Sequence, residues 1–311
     1  MNQAAPDHAH CHHHHSPGGA SPNGARRLGW VLAANAAFMV LEVLGGLLAN
    51  SLALLADAGH MFTDVAALVL ALAVVRLGRQ PATPRRTFGL LRAEVMGAFV
   101  NGASLVILVG FIFYEAWRRF GAQPEVDGPL MLAVSVAGLA VNAGSVWLLA
   151  RNRSENLNLQ AAFLHMAADA LGSLGAIVAG IVIWRTGWTP IDPIVSVFIG
   201  LLILWSSLGL LRQTTNILLE ATPAHIDYQE VRRALESLDH VAEVHDLHIW
   251  TIASGIPALS VHLALAPDCS DTTHWQQCLQ LAQTMLRERF GIVHSTLQLE
   301  PPGYIRDGRV I

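Results

Sequence analysis

Four side chains able to bind a metal recur in one spacing, His-x-x-x-Asp, inside apolar stretches of this 311-residue chain. His60 and Asp64 stand in ADAGHMFTDVAALVL, and His165 and Asp169 in AAFLHMAADALGSLGAIVAG. Residues four apart share one face of a helix, about 6 Å apart along its axis, so each pair can aim at one ion. An ionisable group at the centre of a membrane span costs at least ~2.5–3.5 kcal/mol on insertion scales and usually lines a pathway. A single His–Asp pair would pass as a satisfied polar contact. Two matched pairs in separate spans point instead to the ligands of a divalent cation crossing the membrane.

Imidazole and carboxylate without thiolate suit tetrahedral Zn2+, bonded at about 2.0–2.2 Å. Softer ions want sulfur, and Ca2+ or Mg2+ want more oxygens, so zinc is the expected cargo, with Co2+ next and Cd2+ not separated from them. Two carboxylates and two neutral imidazoles carry a charge of −2, which Zn2+ cancels. Protons compete for the same lone pairs, and an imidazole titrates near neutrality, so exchange of Zn2+ for H+ is expected. Asp57, one turn before His60, either orients that imidazole or serves as a ligand where the ion enters; orientation is the preferred reading. Glu42, Asn35, Asn101 and Asn142 bond between helices or wet the cavity, the first use being favoured.

The elements that must carry these residues are legible from hydropathy. The chain is 53% hydrophobic and only 14% charged, against about 25% charged in an ordinary soluble domain. Six apolar stretches, Leu28–Ala49, Leu52–Val75, Ala93–Trp117, Pro129–Ala150, Gln160–Trp184 and Ile191–Leu211, each reach the ~20 residues that span a bilayer as a helix. The predicted membrane part, residues 26–212, is thus an all-α bundle of six transmembrane helices. Residues 1–25 form a His-rich tail (DHAHCHHHH, then Pro, Gly, Ser and Asn) with no capacity for a core and no signal-peptide apolar run. With the N-terminus cytoplasmic, ten arginines fall on the inner side and only Arg118, Arg119 and Arg185 on the outer. That asymmetry puts both termini in the cytoplasm, and Trp30, Trp117, Trp147, Trp184 and Trp188 fall at span ends as interfacial anchors. The net charge of −4 gives no sign of a nucleic-acid partner.

Residues 213–311 read as soluble. A helix over Ile226–Leu238, strands Val244–Ile252 and Ile256–Ala266, a helix over Thr273–Phe290 and a strand Ile292–Glu300 give the order α-β-β-α-β. A small cytoplasmic α+β, ferredoxin-like sandwich is expected. Alternation turns Leu247, Ile249, Val261, Leu263 and Leu265 inward, and leaves His248, His262, His294, Gln298 and Glu300 on the outer face. Cys11, Cys269 and Cys278 are scattered, with no Cys-x-x-Cys, and suggest neither disulfides nor a thiolate zinc knuckle.

The runs SLALLADAGHMFTD, HMAADALGS and VHDLHIW, in that order, resemble the cation diffusion facilitator family, in its zinc-transporting branch. The similarity covers about Leu28 to Pro301. It implies a homodimeric exporter alternating between inward-open and outward-open states, with a metallochaperone-like cytoplasmic domain at the dimer interface. His60, Asp64, His165 and Asp169 match the family's transport site. The resemblance further points to His245, His262 and Glu300 as ligands of a regulatory Zn2+, with His248 near them. His245 opens a strand, where alternation is weakest. Zinc transporters of this type often have a His-rich loop between the fourth and fifth spans; Arg151–Asn158 is short and has none, so the tail is expected to collect zinc instead. The segment Arg76–Arg92 has no histidine or acid and is expected to hold no site.

The rival class is a membrane-anchored metal sensor without flux, which would need only the cytoplasmic ligands. An enzyme is not expected: no His-Glu-x-x-His and no phosphate-binding GxxxxGK[ST] loop is present. A bacterial plasma membrane is the expected location.

Overall fold

Each apolar stretch forms one long helix in the computed structural model. The helices are α1 (Pro22–Ala49), α2 (Leu52–Gly78), α3 (Arg92–Ala122), α4 (Gly128–Ala150), α5 (Leu157–Thr186) and α6 (Ile191–Leu218). The structure describes residues 22–78, 83–150, 157–267, 269, 272–301 and 304; within the helices, the side chains of 22–32, 68, 71–78, 145, 146, 148–150, 157–168, 272 and 273 are outside the description. The tail expected over residues 1–25 lies outside the described residues as far as 21, and α1 already begins at Pro22. At the other end α6 runs on past Arg212 to Leu218. Hydropathy marks where a helix leaves lipid, not where its backbone stops bonding to itself, so a membrane helix can continue into water.

Among the described residues, α3, the Asp169–Thr186 part of α5, and α6 are each long and apolar enough to cross a membrane. Their outward faces carry large apolar groups, Trp205 at 85% and Phe111 at 69% exposure. Exposure on that scale suits lipid rather than water. α4 lies along α5, α3 lies along α6, and α2 meets α5 over only a short stretch. The α4–α5 seam is close because glycine makes it so. A Cβ on Gly180 would sit 3.0 Å from the Leu132 backbone nitrogen, and one on Gly128 would sit 2.7 Å from that of Trp184. Small residues let membrane helices approach backbone to backbone, where dispersion replaces the missing hydrophobic drive.

The α+β part follows the expected order: α7 (Tyr228–Glu236), β1 (Val241–Ala253), β2 (Ile256–Leu265), α8 (Thr272–Phe290) and β3 (His294–Glu300). β2 is central, antiparallel to β1 and parallel to β3. Asp227 starts α7 by accepting the Gln229 and Glu230 backbone N–H groups, a side-chain cap. Val231 and Leu235 from α7, Ala282 and Leu286 from α8, and Leu247, Ile249, Leu259, Val261 and Leu263 from the sheet form one core. Full burial of each large aliphatic chain contributes about 1.5–3 kcal/mol. The two C-terminal cysteines, scattered in sequence, meet here: the Cys278 thiol hydrogen-bonds Cys269, and both are buried beside Trp275. Burial, first, and the Cys269 thiol, second, push the Cys278 thiol up.

The α+β part touches the bundle on one side. Phe88, in the α2–α3 connection, meets the His294 ring edge-on at 5.4 Å, and Arg92 bonds Glu220 at 2.7 Å just beyond α6. This end of the bundle is called inner below, and the opposite end outer.

Candidate metal centres

Helical periodicity alone places His60 and Asp64 on one face of α2, and packing brings Asp169 of α5 against them. His60 Nε2 lies 3.5 Å from Asp64 Oδ2 and 3.7 Å from Asp169 Oδ1. These separations are too long for good hydrogen bonds. They are close to the edge of a tetrahedron: donors bonded to a central Zn2+ at about 2.1 Å stand about 3.4 Å apart. His165 occupies α5 one turn before Asp169, and its side chain lies outside the described residues.

Around this cage α2 changes character along its length. Leu52, Ala53, Leu54, Ala56 and Ala58, on the outer side, are buried. Phe62, within the His60–Asp64 turn, and Val69 and Leu70 beyond it are exposed, and Asp64 is 31% exposed where Asp169 is 7%. The cage is therefore covered on its outer side, and Asp64 is its more exposed wall. Asp57 is buried and hydrogen-bonded to Glu42 of α1, and it lies close to Gly172 of α5. It ties three helices together beside the cage.

The second centre is on the sheet. His245 Nε2 lies 2.9 Å from Glu300 Oε2, and His262 Nδ1 lies 3.0 Å from Glu300 Oε1. Ligand atoms of all three residues lie within 4.8 Å of one another; among the described residues no other group of three or more does so. Alternation predicted His262 on the outer face but left His245 open. A β-bulge decides it: His245 pairs with His262 and His248 with Ser260, three steps on β1 against two on β2. The extra residue turns the side chains after it, so His245 and His248 share a face. Asp246, at φ 51, takes the left-handed conformation the bulge needs, which Asp adopts more readily than most residues.

Glu300 departs from expectation in its burial. It lies on the face alternation predicts, with His262, yet is 3% exposed, because the two imidazoles cover it. Burial works against its ionisation; the hydrogen bond and charge of His245, with His262, outweigh that and hold its carboxyl below the ordinary value of 4.5. A buried carboxylate flanked by two imidazoles is a donor set that fits Zn2+. His248 stands apart, bonded to Asp246 at 3.0 Å and half exposed. Asp246 also lies 3.6 Å from His262 Nε2, so His248 reaches the cluster only through it.

Two residues with strong geometry were missed by sequence reasoning. Asp246 had no readable signal, since a bulge depends on register. Asp192 did: it is an acid in the first turn of an apolar span, and such a group demands partners.

Comparison with known proteins agrees with both centres' surroundings. Residues 30–219 match the cation efflux transmembrane domain, and residues 223–302 match the cytoplasmic domain of cation efflux proteins. The zinc transporter ZitB of Escherichia coli (strain K12) is 43% identical over 294 residues, covering 94% of this chain and 92% of that protein. A cadmium, cobalt and zinc/H(+)-K(+) antiporter of Bacillus velezensis is 36% identical over 301 residues, covering 96% and 95%. The cation efflux system protein CzcD of an Alcaligenes species (strain CT14) is 38% identical over 289 residues, covering 93% and 89%. Six bundled helices, a small cytoplasmic sheet and similarity along nearly the whole chain lead to one assignment: this protein belongs to the cation efflux, or cation diffusion facilitator, family, in its zinc branch.

Proposed function

We propose that the protein exports Zn2+ from the cytoplasm in exchange for protons, through His60, Asp64, His165 and Asp169. The observation that carries this is the spacing of His60 Nε2, one tetrahedral edge from a carboxylate oxygen on each of α2 and α5. The names of the relatives support the cargo, zinc for ZitB and cadmium, cobalt and zinc for the Bacillus antiporter, so Co2+ and Cd2+ are expected to compete. Zn2+ here is substrate. Bound, it cancels the two carboxylate charges; on its departure protons take the same lone pairs, so a pH difference can drive the cycle.

His245, His262 and Glu300 hold a second, regulatory Zn2+ in this reading, with His248 linked through Asp246. The chain works as a homodimer of integral membrane subunits in the bacterial plasma membrane, both termini inside. Its parts are a zinc-collecting tail (1–25), a transport domain (26–212) and a regulatory domain (213–311). The test is zinc flux in reconstituted vesicles under an imposed pH difference. Flux should follow the gradient and vanish in Asp64→Ala and Asp169→Ala. Full flux in both variants would remove the cage from the mechanism, and flux indifferent to pH would remove the exchange.

A further inference from the structure

The outer seal of the cage rests on one carboxylate. Asp192, wholly buried in the first turn of α6, accepts the Ser51 hydroxyl at 2.6 Å and the backbone N–H groups of Leu52 at 2.8 Å and Ala53 at 3.2 Å. It thus caps the start of α2 from 140 residues away. A carboxylate there meets free N–H groups and the positive end of the helix dipole. Arg119 of α3 closes the cluster. Its guanidinium lies 3.6 Å from Asp192 Oδ2 and donates to the Asn50 carbonyl at 2.7 Å. Asn50, at φ 51, turns α1 into α2 and donates to the Glu125 carbonyl at 3.0 Å.

The consequence follows from chain connectivity. Only residues 187–190 separate α5 from α6, so Asp192 of α6 stands beside the outer end of α5. Its partners Ser51, Leu52 and Ala53 move with the outer end of α2. The bond set therefore ties the outer end of α2 to the start of α6, next to the outer end of α5. His60 lies about 12 Å of helix further in. An ion can leave outward only if these ends part. We propose that Asp192 is an outer latch, a positioning residue that holds α2 to α5–α6 while the cage faces inward and must release α2 for the cage to open outward. Polar ties suit such a role. At a membrane surface, water can take over each bond on opening, whereas a broken apolar seal gains nothing in exchange.

This inference rests on the transport reading, and its test is read separately from flux. In intact cells producing the full chain, Ala56→Cys places a thiol one turn outward of His60, at a site now buried. The native Cys11, Cys269 and Cys278 fall in the tail and the cytoplasmic domain, out of reach of an outside, membrane-impermeant maleimide. Labelling of Cys at 56 should be slow with Asp192 present and on the order of tenfold faster with Asp192→Asn, which keeps the shape and removes the charge. Ser51→Ala, which deletes one tie and leaves the backbone bonds, should give a smaller rise of roughly threefold. Equal labelling rates for the parent and for a folded Asp192→Asn chain would overturn the latch. If Asp192→Asn does not fold, Ser51→Ala decides: faster labelling supports the latch and an unchanged rate overturns it. Loss of zinc flux from the native chain would instead overturn the transport reading, whatever the labelling shows.

Discussion

The two candidate metal centres use the same donor chemistry with opposite spacing. In the membrane, His60 stands 3.5 and 3.7 Å from its carboxylates, already near the spacing of ligands around one ion. On the sheet, His245 and His262 are closed on Glu300 at 2.9 and 3.0 Å. A metal there must first displace those bonds and spread the donors to about 3.4 Å. The first arrangement suits a cargo that enters and leaves each cycle. The second suits an ion whose arrival changes the protein, because binding exchanges one set of contacts for another.

Their supports differ in the same sense. The cage sits where α2 and α5 meet only briefly, while the triad sits on paired strands. A cage between two separable helices can be opened by moving one of them. A triad spread over a hydrogen-bonded sheet cannot, since its strands would have to unpair.

The sharpest way to break this contrast is to remove one cage ligand. Asp169→Ala should lower vesicle zinc flux on the order of 100-fold or more, since loss of even an outer partner costs about 10–100-fold, while the sheet triad still binds zinc. Equal loss at both centres would show that they are not independent. Next, in an Asp64→Ala background, Glu300→Gln should weaken zinc binding measured by calorimetry about 10–100-fold; the same substitution alone should leave flux at saturating zinc largely intact. A smaller effect is expected from Gly180→Ala, which drives a methyl against the Leu132 backbone. It should cost about 1–3 kcal/mol in thermal unfolding in detergent, the usual range for overpacking.

A pH titration of the metal-free protein reads the triad directly. The Glu300 pKa is depressed in the fold, so its stabilising contribution is present above the unfolded value near 4.3 and is lost as pH falls through the lower folded value. The acid limb of the unfolding curve should therefore flatten in Glu300→Gln; an unchanged limb would mean the carboxylate is not held by His245. The smallest change is expected from His248→Ala. Its side chain is half exposed and outside the triad, so zinc affinity should shift by less than about threefold, equivalent to ~0.5 kcal/mol for a surface group. A larger loss would bring His248 into the coordination shell.

Much of this was readable in the chain itself, and the reasons are local. His60 and Asp64 share a face because helical backbone bonding fixes what four residues mean in space. Six long apolar helices and an α-β-β-α-β tail follow from runs of apolar residues and their period. The failures were all at contacts between elements. Glu300 takes the face alternation along β3 gives it, but its burial, which alternation does not show, comes from imidazoles on two other strands. His245 could not be assigned because the bulge at Asp246 is a property of pairing with β2. Cys269 and Cys278 looked unrelated until α8 folded back against the end of β2.

Residue order alone thus determined the membrane class, the ligand types and the pairing of donors on each helix, because backbone hydrogen bonds set distances within a helix without help from elsewhere. Tertiary packing decided which donors come together, which end of the cage is covered and that Asp192 reaches the start of α2. Those depend on where helices separated by 140 residues come to rest, and no local period encodes that.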